Sequence, residues 1–183
     1  MFEKETYKNE VLLKGQIVNI YPANGCVIVT LNVGKRNHPK IICWRENAKI
    51  VWQQYYIGDT ITLLCNIQSS KRPNGKITTS LFCTSVQSNT LLQTQTHNHF
   101  CVKGETVSTI MNHNTMNLLV RTDVNGHIST FPLTIYNADS RLHNFEKFQP
   151  VWAEGRIETL FKYDKNGNKN YYTNYVVEKI RDN

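Results

Sequence analysis

Val151 to Ile180 reads VWAEGRIETLFKYDKNGNKNYYTNYVVEKI. Val151 and Ala153 share one face of an extended chain and Trp152 takes the other. Two β-favouring runs flank Asp164-Lys165-Asn166-Gly167, and Asn-Gly supplies the positive φ angles of a tight hairpin. The stretch is therefore two strands around a turn. A fainter copy precedes it by about 90 residues. Ile67 anticipates Ile157, Asn47-Ala48 anticipates Asn137-Ala138, Lys14-Gly15 anticipates Lys103-Gly104, and Gly75 anticipates Gly167. A period held across four landmarks implies one folding unit used twice.

Around this stretch, strand patterns dominate. In the first half they cover Val11 to Ile20, Val27 to Val33, Ile61 to Ile67 and Ile77 to Val86. In the second they cover Phe100 to Ile110, Asn117 to Val124, Ile128 to Ile135, Val151 to Phe161 and Tyr171 to Ile180. Asn-Gly pairs at 24–25, 74–75, 125–126 and 166–167 punctuate them. Glu46 to Tyr56 and Asn137 to Phe148 carry the Ala, Leu, Lys, Glu and Gln of short helices. Gln87 to Asn98, polar and uncharged, reads as a connector. The pattern predicts an all-β chain of two tandem OB-fold barrels, five-stranded and Greek-key, each with one short helix between strands 3 and 4. The expected division is a first barrel over residues 1–88, a linker over 89–98 and a second barrel over 99–183. A β-sandwich is the alternative that the same rhythm allows.

The chain has 183 residues, 40% of them hydrophobic and 19% charged, a globular rather than disordered composition. Its net charge of +7 favours polyanionic partners without fixing a fold. Five widely spaced cysteines form no C-x-x-C pair and no disulfide framework, and three of them sit in apolar runs as small hydrophobes do. The start, MFEKETYKNE, has no apolar signal core, and no stretch is long enough to span a bilayer as a helix. A cytoplasmic, reducing setting without a membrane partner is expected.

Gly155-Arg156-Ile157-x-Thr159, then Asp164 to Gly167, then Tyr171 to Ile180, resembles bacterial and phage single-stranded-DNA-binding proteins, whose G-R-[LI]-x-T strand, D-x-x-G hairpin and aromatic-to-V-V-x-x-I strand follow one another. Lys103-Gly104-Glu105 is similar to the opening strand of that family. Trp44-Arg45-Glu46-Asn47-Ala48-Lys49 resembles its junction of strand and helix. The match covers most of the second half and patches of the first, where Cys65-Asn66 replaces Gly155-Arg156. The resemblance implies single-stranded DNA as partner, no cofactor and no catalysis. Tandem-fold versions imply that a homodimer would present four barrels, and the family works with replication and recombination proteins. Members commonly extend into an acidic-tipped tail. This sequence ends Ile180-Arg181-Asp182-Asn183, after the last expected strand, so recruitment through such a tail is not carried over.

Binding single strands requires cations that follow phosphates and flat rings on which bases stack. The candidates are Lys35 and Arg36 in a loop, Trp44 and Arg45 on a strand, and Lys71, Arg72 and Lys76 around a turn in the first half. In the second half they are Arg121, Tyr136, Trp152, Arg156, Phe161, Lys162, Tyr163, Lys169 and Tyr171. Each has a plainer reading. Trp and Tyr often pack in β cores or rims, and hairpin lysines are often only solvated. Trp44 follows an apolar run, which leaves its face open, and Trp152 suits stacking or interface packing equally. His97, His99 and Cys101 share a strand face, yet no second cluster completes a metal site. Acidic residues are scattered, without the pairs that hold divalent ions. The expected function is largely sequence-independent binding of single-stranded DNA, protecting it in replication, recombination or mobile-element transfer. The rivals are an OB-fold adaptor that binds proteins, a metal-dependent nuclease and an RNA binder.

Overall fold

The computed structural model describes residues 7–138 and 144–182. Ten strands appear in them: β1 (Lys8–Ala23), β2 (Cys26–Asn32), β3 (Lys40–Cys43), β4 (Thr60–Lys71), β5 (Ile77–Gln87), β6 (His97–Asn112), β7 (Thr115–Val124), β8 (His127–Tyr136), β9 (Pro150–Tyr163) and β10 (Lys169–Asp182). One helix, α1 (Arg45–Gln54), lies between β3 and β4, and a 3-10 turn (Asn89–Leu91) sits in the connector. The strands form one sheet in the order β2-β3-β5-β4-β1-β6-β7-β8-β10-β9, closed twice by the pairings β2–β1 and β6–β9. Each half therefore follows the circuit 1-2-3-5-4-1, with one parallel contact, β3–β5 or β8–β10, completing the ring. These are two OB-fold barrels.

The four Asn-Gly pairs make two kinds of turn. Asn24-Gly25 and Asn125-Gly126 have positive φ at both residues, as in two-residue hairpins whose twist matches that of the flanking strands. At the tips of β4–β5 and β9–β10 only Gly75 and Gly167 do, which widens the loop. Gly15 and Gly104 let the first strand of each barrel press against the second. A Cβ there would lie 2.3 Å from the Asn32 carbonyl oxygen or 2.4 Å from that of Arg121.

The barrels join through β1 and β6, which pair antiparallel from Lys8↔Lys103 to Lys14↔His97. Where β1 leaves β4 to make this seam, a side chain continues the ladder. The Asn9 amide donates to the Ile67 carbonyl (2.8 Å) and its oxygen accepts the Ile67 N–H (2.9 Å). Asn98 does the same to Ile157, at 2.8 and 2.9 Å. Thus the repeat spacing of Ile67 and Ile157 marks a brace built twice. One apolar core crosses the seam, with Tyr175 packed edge-on against Phe100 and tilted against Phe131.

Three details differ from the sequence reading. β3, expected before the helix but without bounds, is only four residues long, KIIC, too few to show a period. Trp44 and Arg45, read as strand, are the cap and first residue of α1; Ala48 and Val51 bury its inner face. His97 and Asn98, placed in the linker, open β6, where pairing with β1 and the Asn98 brace hold them. Of the second expected helix, Asp139 to His143 fall outside the described residues, and the flanking 137–138 and 144–148 are not helical.

Candidate nucleic-acid interface

Beyond the second barrel, β9 and β10 continue as a two-stranded arm. Their register sets Thr159 opposite Thr173, Phe161 opposite Tyr171 and Tyr163 opposite Lys169, all on one face because side chains alternate. Phe161 and Tyr163 meet edge-on at 5.7 Å between centroids, and Phe161 and Tyr171 meet tilted at 6.2 Å. The Lys169 ammonium lies 3.8 Å from the Phe161 centroid and 5.1 Å from that of Tyr171. These rings are 48%, 66% and 59% exposed, in the order Phe161, Tyr163, Tyr171. On the reverse face Lys162 stands 5.4 Å above Tyr172. Asp164 holds the tip, accepting from the Asn166 and Asn168 backbones (2.8 Å each) and the Asn168 amide (3.0 Å). The Asn168 side chain, then its backbone, keep this carboxyl below its usual pKa. Flat rings beside a cation are what a stacked base and its phosphate require.

The β2–β3 loop of the first barrel reaches the root of this arm. His38 donates its N–H to the Thr159 hydroxyl (3.0 Å), and the Thr159 N–H donates to the buried Asn37 side chain (3.1 Å). Lys35 and Arg36, both exposed, precede that contact directly. The mirrored approach also exists, since the Thr130 N–H of β8 donates to the Ser69 hydroxyl of β4 (2.9 Å). There the first barrel's arm carries Lys71 opposite Ile77, and its turn Arg72 and Lys76.

The other candidates lie elsewhere. Trp44, 44% exposed, packs beside Gly25 of the β1–β2 turn, with Arg45 next to it, at the end of β3 away from the Lys35–Arg36 loop. Arg121 stands opposite Glu105 on the outer wall of β7. Trp152 lies between the cations of Lys103 (5.8 Å) and Arg181 (5.1 Å) and donates its indole N–H to Cys101 (3.1 Å). Arg156 is engaged by Glu158 (2.7 Å) and Glu178 (2.8 Å), and the Glu178 bond does most to raise its basicity. The Tyr136 hydroxyl donates to Glu158 and accepts from Asn174, with burial the main cause of its raised pKa. Arg156 and Tyr136 thus belong to a polar belt in which two carboxylates already engage the Arg156 charge. Among the described residues no group of His, Cys, Asp and Glu could hold a metal ion. Cys101 faces Trp152, while His99 lies 3.9 Å from Glu154. No described helix is long and apolar enough to cross a membrane.

At the level of sequence, no family model and no curated protein matches the chain. At the level of structure, the fold is that of a known binder. The single-stranded DNA binding protein from Thermus aquaticus, as a deletion mutant, superposes with a TM-score of 0.70 at 9% identity. The alignment covers 97% of this chain and 95% of that one. The wild-type form gives 0.69 at 11% identity, covering 97% and 94%. Identity this low establishes a shared fold across the full length and nothing about shared residues.

Sequence reasoning missed the docking of Asn37 and His38 on Thr159, contacts that span 122 and 121 residues and leave no local pattern. It also missed the exposed apolar patch at the end of α1, where Trp52, Tyr56 and Ile57 are 50%, 70% and 63% exposed. The Asn9 and Asn98 braces left a signal, because those residues share the repeat spacing.

Proposed function

We propose that the chain binds single-stranded DNA with little sequence preference and protects it during replication, recombination or mobile-element transfer. The observation that carries the reading is the exposed Phe161, Tyr163 and Tyr171 cluster around Lys169, on an arm that projects beyond the barrel core. Large rings left in water are costly unless a partner covers them, and a nucleobase covers a ring face without regard to sequence. The shared fold with the Thermus aquaticus protein agrees with this use of the barrels. Each stacked base contributes about 1–3 kcal/mol, so a few rings and the phosphate contacts suffice. Two barrels would cover about 8–32 nucleotides. The reading assigns no catalytic step and no cofactor. A homodimer presenting four barrels, together with replication or recombination proteins as partners, completes the proposal.

Titrating dye-labelled oligo-dT while following anisotropy tests it. Binding at low salt should reverse as salt rises, with log K falling by about 0.7 per phosphate contact for each decade of salt. Oligo-rU as competitor reports whether DNA is preferred. No anisotropy change at low salt would remove the reading. The adaptor reading keeps one observation in its favour, the Trp52, Tyr56 and Ile57 patch, which suits a protein surface better than a phosphate backbone.

A further inference from the structure

We infer that the binding site is composite across the seam: bases stack on the second barrel's arm while the first barrel's Lys35 and Arg36 neutralise the phosphates of those same nucleotides. This inference rests on the single-strand reading above. Gly34, Lys35 and Arg36 have successive positive φ angles of 92°, 50° and 61°, and Val33 N–H to Asn37 carbonyl (3.1 Å) and Asn37 N–H to Gly34 carbonyl (2.9 Å) close the loop. The loop is therefore a set shape, and the two bonds to Thr159 fix it on the arm. Thr159 and Phe161 share a face and lie two residues apart on one strand, about 7 Å. The loop that carries the two cations is thus anchored about 7 Å along the strand from the first ring, a span that their long stems can cross.

The opposite edge of the pseudo-twofold lacks this combination. There the approaching segment follows the two-residue Asn125-Gly126 turn and carries His127 and Ile128, and the arm it meets carries Lys71 and Ile77 where the other has Phe161 and Tyr171. Of these two edges, and among the described residues, this one alone brings loop cations to an arm that carries clustered rings. The first barrel then contributes to binding chiefly through a loop that serves its neighbour.

A double-mutant cycle on the full chain tests this with oligo-dT anisotropy at one fixed salt concentration. The loop variant is K35N/R36N, since asparagine removes the charge yet tolerates the left-handed backbone. The arm variant is F161A, and thermal melts of every variant check the fold. Each variant should weaken binding by about tenfold, and the two together by about 30-fold rather than the roughly 100-fold of independent sites. The control K71A/R72A should multiply with F161A. A loop and arm combination equal to the product of the single effects overturns the composite site while leaving DNA binding intact. Absence of oligo-dT binding by the unmodified protein overturns the underlying reading and this inference with it.

Discussion

The two arms have the same backbone and different chemistry. β4–β5 and β9–β10 are both antiparallel ladders rooted in an Asn brace, and their tips close alike. Arg72 N–H meets the Lys76 carbonyl at 2.9 Å, and Asp164 N–H meets that of Asn168 at 2.9 Å. Yet the first ladder ends at Lys71 opposite Ile77, while the second sets Phe161 opposite Tyr171 and runs on to Tyr163 opposite Lys169. The brace and ladder depend on main-chain hydrogen bonds and a few fixed side chains, so they survive wide sequence change. The outward face of an arm contributes nothing to the core and is free to take on a separate role. One barrel's arm thus displays charge, and the other displays rings with charge among them.

The largest expected effect is on the fold, at the position where the barrels differ most inside. A Cβ on Gly155 would lie 1.9 Å from the Val176 carbonyl oxygen, a backbone atom that cannot swing away. Gly155→Ala should cost more than about 3 kcal/mol in denaturant unfolding, whereas Cys65→Gly at the matching site should cost about 1–2. Equal costs would break the claim that the second barrel alone needs a glycine there. Next come the braces. Asn9→Ala and Asn98→Ala each strand an N–H and a C=O, and each should cost about 2–3 kcal/mol. Matched losses sharpen the equivalence of the barrels; a loss at only one site ends it.

On binding, Phe161→Ala should weaken oligo-dT affinity by about tenfold with an unchanged melt. Grafting the rings onto the first arm, as Lys71→Phe with Ile77→Tyr, should tighten it by about tenfold and lower the salt slope by about 0.7. A graft without effect would mean the first arm lies off the DNA path.

The smallest effect is at the seam. His97 stands where β1 has Lys8, and each faces a lysine across the ladder. Burial, then the neighbouring His99, lowers the His97 pKa, so the unfolded chain binds that proton more readily. Stability should therefore fall slightly as pH drops through about 6.5. His97→Gln should flatten that slope, as read by urea midpoints, and a slope unaltered by the substitution would assign it to other groups.

Much of this was legible in the sequence. The repeat, the four Asn-Gly turns and the clustering of rings and lysines after Gly155 are local patterns, and each has its counterpart in the fold. What stayed hidden depends on distant pairing. Arg156 looks like any free cation until Glu178, 22 residues on, is brought beside it. Trp152 alternates outward as its neighbours imply, but the two cations flanking its ring come from β6 and β10. Lys35 and Arg36 read as candidate binding cations in a loop, but nothing near them in sequence names Thr159 as the residue that anchors the adjoining Asn37 and His38.

The most direct test is photocross-linking of 5-bromodeoxyuridine-substituted single-stranded DNA, with the attachment sites mapped by mass spectrometry. Adducts are expected at Phe161, Tyr163 or Tyr171, lost when unlabelled oligo-dT competes. Adducts confined to the first barrel, or to Trp152 on the outer sheet, would contradict it.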